Sequence, residues 1–417
     1  MKNNIYVIGA NLYGCLTAAK LAKKNKNSNI VLVDSADQIL NTFQSIKLKK
    51  YKINNGFHSI EIPRANALVN FLRKEIKVDL KIIPNIRKIL INNFLVPEEN
   101  SNNYPENLKK HFKKKSINTS DHKIFLGSLS KTMKNHYVEV SKRYAQNFFD
   151  VKHFFIPWFF PTNYTYKSND EGDQFRKKVR SKKIKAYYVL PKNGLIEELR
   201  TPFIKYFRKI KNIKIILNTN VGYHENQLFL FSKNFKNNFF PKDKIYLCVP
   251  PLFLLKKNET LYKKIFFNKR YLANMLIRLP ATTKKIEFTE IISCHKELKE
   301  LARISNYSLY KSIKNYQLVQ IELILNKVNK INLKNIYRKL KNILSFFSHK
   351  EKLINFKVID LKITRSMFYP KIEDVNKVKK YFIRNLKKLP YNINYNFFLG
   401  PVNMSKQWKF SEKFKKI

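Results

Sequence analysis

The sequence predicts an α/β fold that opens with a Rossmann-like nucleotide-binding unit. Three observations carry that prediction: an apolar run at Ile5–Ile8 that ends in Gly9, a second run at Ile30–Val33 that ends in Asp34, and a helical pattern between them. A short apolar run stopped by a turn reads as a strand buried on both faces. Tyr13 to Lys24 reads as a helix, with Leu16, Ala19 and Leu21 apolar. Strand, helix and strand in that order begin a parallel sheet, because parallel strands need a crossover between them.

Glycine sharpens the reading. The chain holds 8 glycines, where average usage would give roughly 29. A sequence that avoids glycine keeps it where the backbone demands it. Two of them bracket the loop Gly9-Ala10-Asn11-Leu12-Tyr13-Gly14 between the first strand and the first helix. A dinucleotide site needs a glycine for the tight turn, a small residue where the backbone meets the pyrophosphate, and a glycine where helix and strand touch. Gly9 and Gly14 suit the first and third places. Asn11 takes the middle one, where tolerance of positive φ would help. The helix start then offers free N–H groups and a positive dipole to phosphates. Asp34 ends the second strand, placed to accept hydrogen bonds from ribose hydroxyls. A tight βα turn in an α/β protein without a ligand would show the same features one by one; their order is what points to a nucleotide.

Farther along, Ala67–Ile76 has an amphipathic helical pattern, and Pro97–His122 reads as a polar surface insertion. Ser130–Phe149 is helical in pattern. Ile196–Ile210 is a helix candidate interrupted by Pro202. Lys214–Leu217, Gln227–Phe231 and Lys244–Val249 read as strands, the last stopped by Pro250-Pro251. Beyond about residue 260 strands and helices mix less clearly. Asp374–Leu386 is a helix, and another follows Met404.

The formal charge is +54, from 83 Lys+Arg against 29 Asp+Glu. The lysines are interspersed with Asn, Ile, Tyr and Phe along the whole chain, which fits a compositional bias better than one dedicated basic patch. Charge of this size speaks to association, not to fold. Hydrophobic content of 44% suits a globular chain. Three cysteines, Cys15, Cys248 and Cys294, form no C-x-x-C pair, so no disulfide framework and no metal site are expected. No signal peptide and no apolar run of membrane-spanning length is visible. A cytoplasmic location is expected, with weak membrane-surface contact at most through the aromatic segment Phe154–Phe160.

The run Val7–Ala19, followed by Val31-Leu32-Val33-Asp34, resembles the N-terminal motif of the flavin amine oxidase superfamily, which includes amine oxidases, protoporphyrinogen oxidases, phytoene desaturases and UDP-galactopyranose mutases. Asn55-Gly56-Phe57-His58 is similar to the Gly-x-His segment of the mutases. Tyr188–Glu198, with Pro191 and Gly194, is similar to a Pro-x-Gly-Gly segment that precedes re-entry into the cofactor domain. Val221 and the strand to Val249-Pro250 match later pieces of that domain in order. Arg365 with Tyr369-Pro370 resembles a mutase segment, and Leu399–Met404, including Gly400 and Asn403, stands where the last glycine motif lies.

The resemblance implies an α/β fold with a Rossmann-like FAD-binding domain built from discontinuous segments, 1–65, 185–260 and 385–417. An α+β substrate domain, 66–184 and 261–384, is inserted. It implies FAD on Gly9, Ala10, Asn11, Gly14, Asp34, Val221, Gly400, Asn403 and Met404. It places His58 near the flavin, and Arg365 and Tyr369 on a small, anionic substrate such as a nucleotide sugar. A turn histidine and a surface arginine remain the plainer readings of His58 and Arg365. Cys15 is expected to pack, although a helix start lowers thiol pKa values. The chain departs from the pattern at Asn11, at Ile39-Leu40-Asn41 in place of Gly-Gly, and at Gly194 in place of a pair. Three other functions stay open: an NAD(P)-binding Rossmann oxidoreductase, a non-catalytic descendant, and a basic nucleic-acid-binding protein. The last would leave Gly9, Gly14 and Asp34 unexplained, and no specific nucleic acid is expected. The sequence says nothing about oligomeric state.

Overall fold

The computed structural model describes residues 4–91 apart from residue 57, and then 94–97, 117–118, 166–167, 185–257, 269–280, 286–294, 298, 301–309, 316–325, 333–345, 356–368, 372–395 and 404–413. The expected helix Ser130–Phe149, the aromatic segment Phe154–Phe160 and most of the insertion Pro97–His122 lie outside the described residues. In chain order the first strands are β1 (Asn4–Ile8), β2 (Asn29–Val33), β3 (Ser45–Leu48), β4 (Tyr51–Asn54), β5 (Ile60–Ile62), β6 (Leu80–Pro84), β7 (Arg87–Ile91), β8 (Phe94–Pro97), β9 (Ile117–Asn118) and β10 (Tyr166–Lys167). They continue as β11 (Tyr187–Pro191), β12 (Ile213–Ile216), β13 (Asn220–His224), β14 (Gln227–Phe231), β15 (Lys236–Asn238) and β16 (Lys244–Leu247). The last are β17 (Lys269–Leu279), β18 (Glu290–Cys294), β19 (Leu301–Asn306), β20 (Gln317–Leu325), β21 (Lys357–Phe368) and β22 (Asn392–Tyr395). The α-helices among the described residues are α1 (Leu12–Lys24), α2 (Asn66–Lys74), α3 (Arg200–Arg208), α4 (Leu333–Leu344), α5 (Ile372–Leu386) and α6 (Met404–Lys413).

A five-stranded parallel sheet, in the order β12-β2-β1-β16-β22, gathers strands from distant parts of the chain. β1 is central, and alternation sends its residues to two different cores. Ile5 and Val7 face α1, α2, α3 and the start of α6. Tyr6 and Ile8 face the other way, onto the antiparallel sheet β13-β14-β15 and α5. Both faces are covered, which is why the strand reads as a continuous apolar run. α6 returns to α1: Lys20 donates to Ser411 Oγ at 2.8 Å, pairs with Glu412, and lies 3.8 Å from the Trp408 ring centroid.

A second sheet, in the order β21-β17-β20-β19-β18-β7-β8, has seven strands. Its apolar face carries Ala273, Met275, Ile277, Val319, Ile321, Leu323, Ile304 and Ile291, and α4 covers it with Ile336, Leu340, Ile343 and Leu344. A small sheet, β5-β11-β6, and the hairpin β3-β4 stand between the two large ones in sequence. Tyr188, Ile46 and Ile53 share a core with Leu276 and Leu318 of the seven-stranded sheet.

Several expectations need correction. Beyond residue 260 long strands dominate the described residues, where the sequence pattern was mixed, because one face of the sheet is buried yet polar. The helix expected over Ile196–Ile210 is a 3-10 turn, Ile196–Leu199, running into α3. Pro202 sits in the first turn of α3, where no backbone donor is required, so it breaks nothing. α5 begins before residue 385, the expected start of the last segment of the cofactor domain. Yet its Val378, Phe382 and Leu386 lie on the parallel sheet. The amphipathic pattern of α5 marks it as a helix without telling which sheet it covers.

Leu340 is fully buried between α4 and the seven-stranded sheet. Leu340→Ala is expected to lower unfolding free energy by about 2–5 kcal/mol, measured by urea denaturation, with the parallel sheet's fold retained.

Candidate functional site

The glycine loop is built from contacts that leave no room for side chains. Gly9 has φ +100°, a value that L residues rarely adopt. A Cβ on Gly9 would overlap the Val249 side chain, and one on Gly14 would overlap the Gly9 carbonyl oxygen. Gly14 is thus the point where α1 presses on the end of β1, the third-glycine role the spacing predicts. Asp34 locks the loop from the next strand. One carboxylate oxygen accepts from the Ala10 amide, and the other accepts from the Ala36 amide at 2.8 Å. The Asp34 carbonyl accepts from Thr219 N at 2.9 Å, which brings Val221 to within two residues of the loop's anchor.

Asn11 differs from expectation. Its φ of −68° and ψ of 177° are extended, so tolerance of positive φ is not its role. It is the N-cap of α1: Oδ1 accepts from Gly14 N at 3.0 Å, while Nδ2 donates to the Cys248 carbonyl at 3.0 Å. Such a cap contributes about 1 kcal/mol. Leu40, at the place of the expected Gly-Gly, is the loop's other departure. Its φ is +54° and its side chain is buried. Its amide donates to the Ala10 carbonyl at 2.7 Å, and Arg200 holds the segment through the Ile39 and Phe43 carbonyls at 3.0 and 3.1 Å. Cys15 packs as expected: burial pushes its thiol well up, and Sγ donates to the Ala10 carbonyl at 3.4 Å.

The second half of the site is the other face of the seven-stranded sheet. Register puts Asn274 opposite Glu322, Glu322 opposite Arg303, Gln320 opposite Ser305, Ser305 opposite Glu290, and Glu290 opposite Arg87. All seven residues of that row therefore share one face with Thr364, which lies opposite Leu272. Most are buried. The loop Asn54–His58 rests on this face. Asn55 Oδ1 accepts from Asn274 Nδ2 at 2.9 Å and Thr364 Oγ1 at 2.8 Å. Gln320 Nε2 donates to the Asn54 carbonyl at 3.0 Å and to Asn274 Oδ1 at 2.8 Å. Asn54 in turn holds the Gly194 turn, accepting from Ile196 N and donating to Gly194 O, each at 2.9 Å. A single glycine with φ +84° suffices there.

His58 stands at the end of this loop, 5.5 Å from the Phe43 ring centroid. Loss of water and the nearby Arg303 cation lower its pKa to about 4, against a backbone hydrogen bond at Asn55 that raises it. The imidazole is neutral at pH 7 and able to donate from one nitrogen and accept at the other. Next to it lies a row of alternating charge. Glu290 accepts from Arg87 Nε at 2.6 Å and from the Tyr188 hydroxyl, and pairs with Arg303 at 3.2 Å. Arg303 also lies 4.0 Å from Glu322. Burial opposes ionisation of Glu290, but Arg87 and Arg303, helped by Tyr188, hold its pKa at about 2.

Of the expected site residues, Gly9, Ala10, Asn11, Gly14 and Asp34 meet in one loop, with Val221 behind it. Met404 is buried at the start of α6, in the core under α1. The backbone of Arg365 lies in β21, opposite Tyr271. Tyr369, Gly400 and Asn403 lie outside the described residues. Sequence reading missed Asn274, Arg303, Gln320 and Glu322. The alternation in Gln317–Leu325 is the signal that marks the last two, with Gln320 and Glu322 on one face and Val319, Ile321 and Leu323 on the other. Among the described residues no group of His, Cys, Asp or Glu is arranged to hold a metal ion, and no helix is long and apolar enough to cross a membrane.

No protein-family model matches the chain, and no curated protein matches it in sequence. In structure it is similar to a reduced UDP-galactopyranose mutase, with TM-score 0.65 and 11% identity over 100% of this chain and 95% of the mutase. It is also similar to a cyclohexylamine oxidase from Brevibacterium oxydans, with TM-score 0.57 and 10% identity over 100% and 99% of the two chains. A putrescine oxidase variant from a redesign of cofactor binding gives TM-score 0.56 and 8% identity over 100% and 98%. The chain has the α/β fold of these enzymes, the group its first motif resembles.

The Glu290 cluster makes stability pH-dependent in a known direction. A carboxyl held at about 2 in the fold, against its ordinary value of 4.5, contributes stability that is present above pH 4.5 and lost as pH falls toward 2. The span corresponds to roughly 3 kcal/mol. Glu290→Gln is expected to destabilise the protein by about 3–5 kcal/mol at pH 7, by leaving two buried guanidinium groups unbalanced. It is also expected to flatten the acid limb in urea titrations from pH 7 to 3. An acid limb unchanged in the variant would count against this assignment.

Proposed function

We propose that the chain is an FAD-dependent enzyme, an oxidoreductase or a flavin-using mutase. One observation carries the reading: the glycine loop, the start of α1 and Asp34 meet at one point of the parallel sheet, on a fold shared with a mutase and amine oxidases. The residues fit the adenosine end of the cofactor. Gly9 and Gly14 keep the loop tight. Asp34 uses each oxygen once on a backbone amide, and a carboxylate oxygen has a second lone pair for a ribose hydroxyl. Ala10, the backbone of Asn11, Val221, Gly400, Asn403 and Met404 complete the proposed cofactor contacts. Segments 1–65, 185–260 and 385–417, with α5, would form the cofactor domain; 66–184 and 261–384, without α5, the substrate domain.

Bound flavin supplies the electron and hydride chemistry; the protein orients the reactants and sets the electrostatics. In this reading His58 is a neutral hydrogen-bonding group at the reacting end, fixed by the Asn54–Asn55–Asn274–Gln320 network. Arg365 and Tyr369 hold an anionic group of the substrate, Arg by paired N–H donors. For the substrate we favour a nucleotide sugar. The similarity is greater to the mutase, at TM-score 0.65, than to the oxidases, at 0.56 and 0.57. A chain of net charge +54 attracts such an anion over about a Debye length, ~8–10 Å.

The protein is expected to purify yellow, or to take up added FAD with a flavin absorption band. A protein that does neither overturns the reading. Asp34→Ala is expected to weaken FAD binding about tenfold or more, the cost of a charge-assisted hydrogen bond. Gly14→Val is expected to abolish binding. Circular dichroism then shows whether the fold is kept, with Asp34→Ala as the milder variant. A UDP-sugar that perturbs the flavin spectrum without reducing it supports the mutase branch, and flavin reduction by an amine under anaerobic conditions supports the oxidase branch.

A further inference from the structure

We propose that Asn11 is a built-in competitor of the bound dinucleotide, so that its side chain sets how tightly the site holds FAD. The inference rests on the flavin reading above and concerns the middle position of the loop. That position normally lacks a side chain because the pyrophosphate approaches the backbone there. Here an amide group lies across the first turn of α1, bonded at 3.0 Å both to Gly14 N and to the Cys248 carbonyl of the neighbouring strand end. Within Gly9–Gly14, Asn11 is the one residue that is not buried. An approaching phosphate therefore meets the Asn11 side chain first. The loop has no slack to widen. The Ala10 carbonyl accepts from Leu40 N at 2.7 Å, and the Ala10 amide is held by Asp34. Room for a diphosphate comes only when Asn11 swings off its two partners. The helix cap and the phosphate are then alternatives at the same turn, since an anion at a helix start does the work of an N-cap.

The test is a fluorescence titration of free FAD into the full chain and two variants, with the unfolding temperature of each recorded without FAD. Asn11→Gly removes the side chain, and glycine at an N-cap costs little stability. It is expected to bind FAD about fivefold more tightly, equivalent to about 1 kcal/mol. Asn11→Asp keeps the cap on Gly14 N but loses the donor to the Cys248 carbonyl and turns a carboxylate toward the diphosphate. It is expected to lower the unfolding temperature and to bind at least about tenfold more weakly, whereas Asn11→Gly, which loses both bonds, binds more tightly. Equal or weaker binding by Asn11→Gly, with the parent chain binding FAD, overturns the inference and leaves the flavin reading standing. Failure of all three chains to bind, each folded, removes the flavin reading and this inference with it.

Discussion

The close approach of Gly14 to the Gly9 carbonyl is the constraint on which the rest of the architecture depends. It brings the axis of α1 down onto the end of β1, and no side chain fits between them. From that point the geometry propagates outward. The Gly9 amide donates to Val33 O at 2.7 Å and the Cys248 amide donates to Ile8 O at 2.9 Å, so the ends of β2 and β16 are fixed to the same turn. Asp34 is then in reach of the Ala10 amide, and its own amide reaches Ile216 O at 3.0 Å, which brings β12 into register. A few backbone contacts at the carboxyl end of the parallel sheet thus align four of its five strands. That end is where α/β folds bind ligands.

The second large sheet solves a different problem. It needs an apolar face for α4 and a polar face toward the Asn54–His58 loop, and both are buried. Strand alternation supplies both from one sequence: in β20 the odd positions from Val319 to Leu325 are apolar, while Gln320 and Glu322 take the other side. A buried polar face is stable only when its groups satisfy one another. Here two arginines and two glutamates alternate across β7, β18, β19 and β20, and the amides of Asn274 and Gln320 continue the row. The row is electrically balanced. Its value is positional, since charge pairs of this kind gain little net energy over apolar packing but hold one geometry.

What the sequence reveals and what it hides divides by range. The loop Gly9–Gly14, the strand Ile30–Val33 and the strand Gln227–Phe231 were legible because their signals are local: glycine at a turn, an apolar run, strict alternation. The tie from Asn11 to the Cys248 carbonyl was not, because that partner is 237 residues away, whereas its cap on Gly14 N is a local signal, Asn at a helix start. The polar face of the seven-stranded sheet was obscured for a related reason. Its polar side chains imitate a solvated strand face, and what buries them is the loop around Asn54, more than 200 residues earlier. Leu40 is the sharpest case. The family pattern asks for glycine there, and the backbone does take a positive φ of 54°, yet the chain keeps leucine and fills the space with it. A left-handed leucine costs of order 1 kcal/mol or more. Its burial and the hydrogen bonds of the segment to Arg200 and Ala10 offset that cost.

The charge of +54 can be reconciled with this balanced interior. The chain has 29 acidic residues, and several of those described are engaged in ion pairs and hydrogen bonds of the fold. Glu290 and Glu322 lie in the sheet row, Asp34 in the glycine loop, and Glu197 against Lys52 and Ser45. Glu61 accepts from Asn85, Asp243 from the Phe240 amide, and Glu412 pairs with Lys20. The excess of lysine is set by composition, 83 Lys+Arg against 29 acids, and most of it faces water wherever the acids lie. Lysine tolerates that place because its charge stays hydrated while its stem covers apolar surface. A large positive surface then follows from the compositional bias itself. Such a surface accelerates encounter with any small anion and binds polyanions weakly at low salt, with affinity falling steeply as salt rises. In the proposed reading selectivity comes from elsewhere, from groups held in place such as the loop around Asn11 and the row beside His58. There position, and not the number of charges, decides what binds.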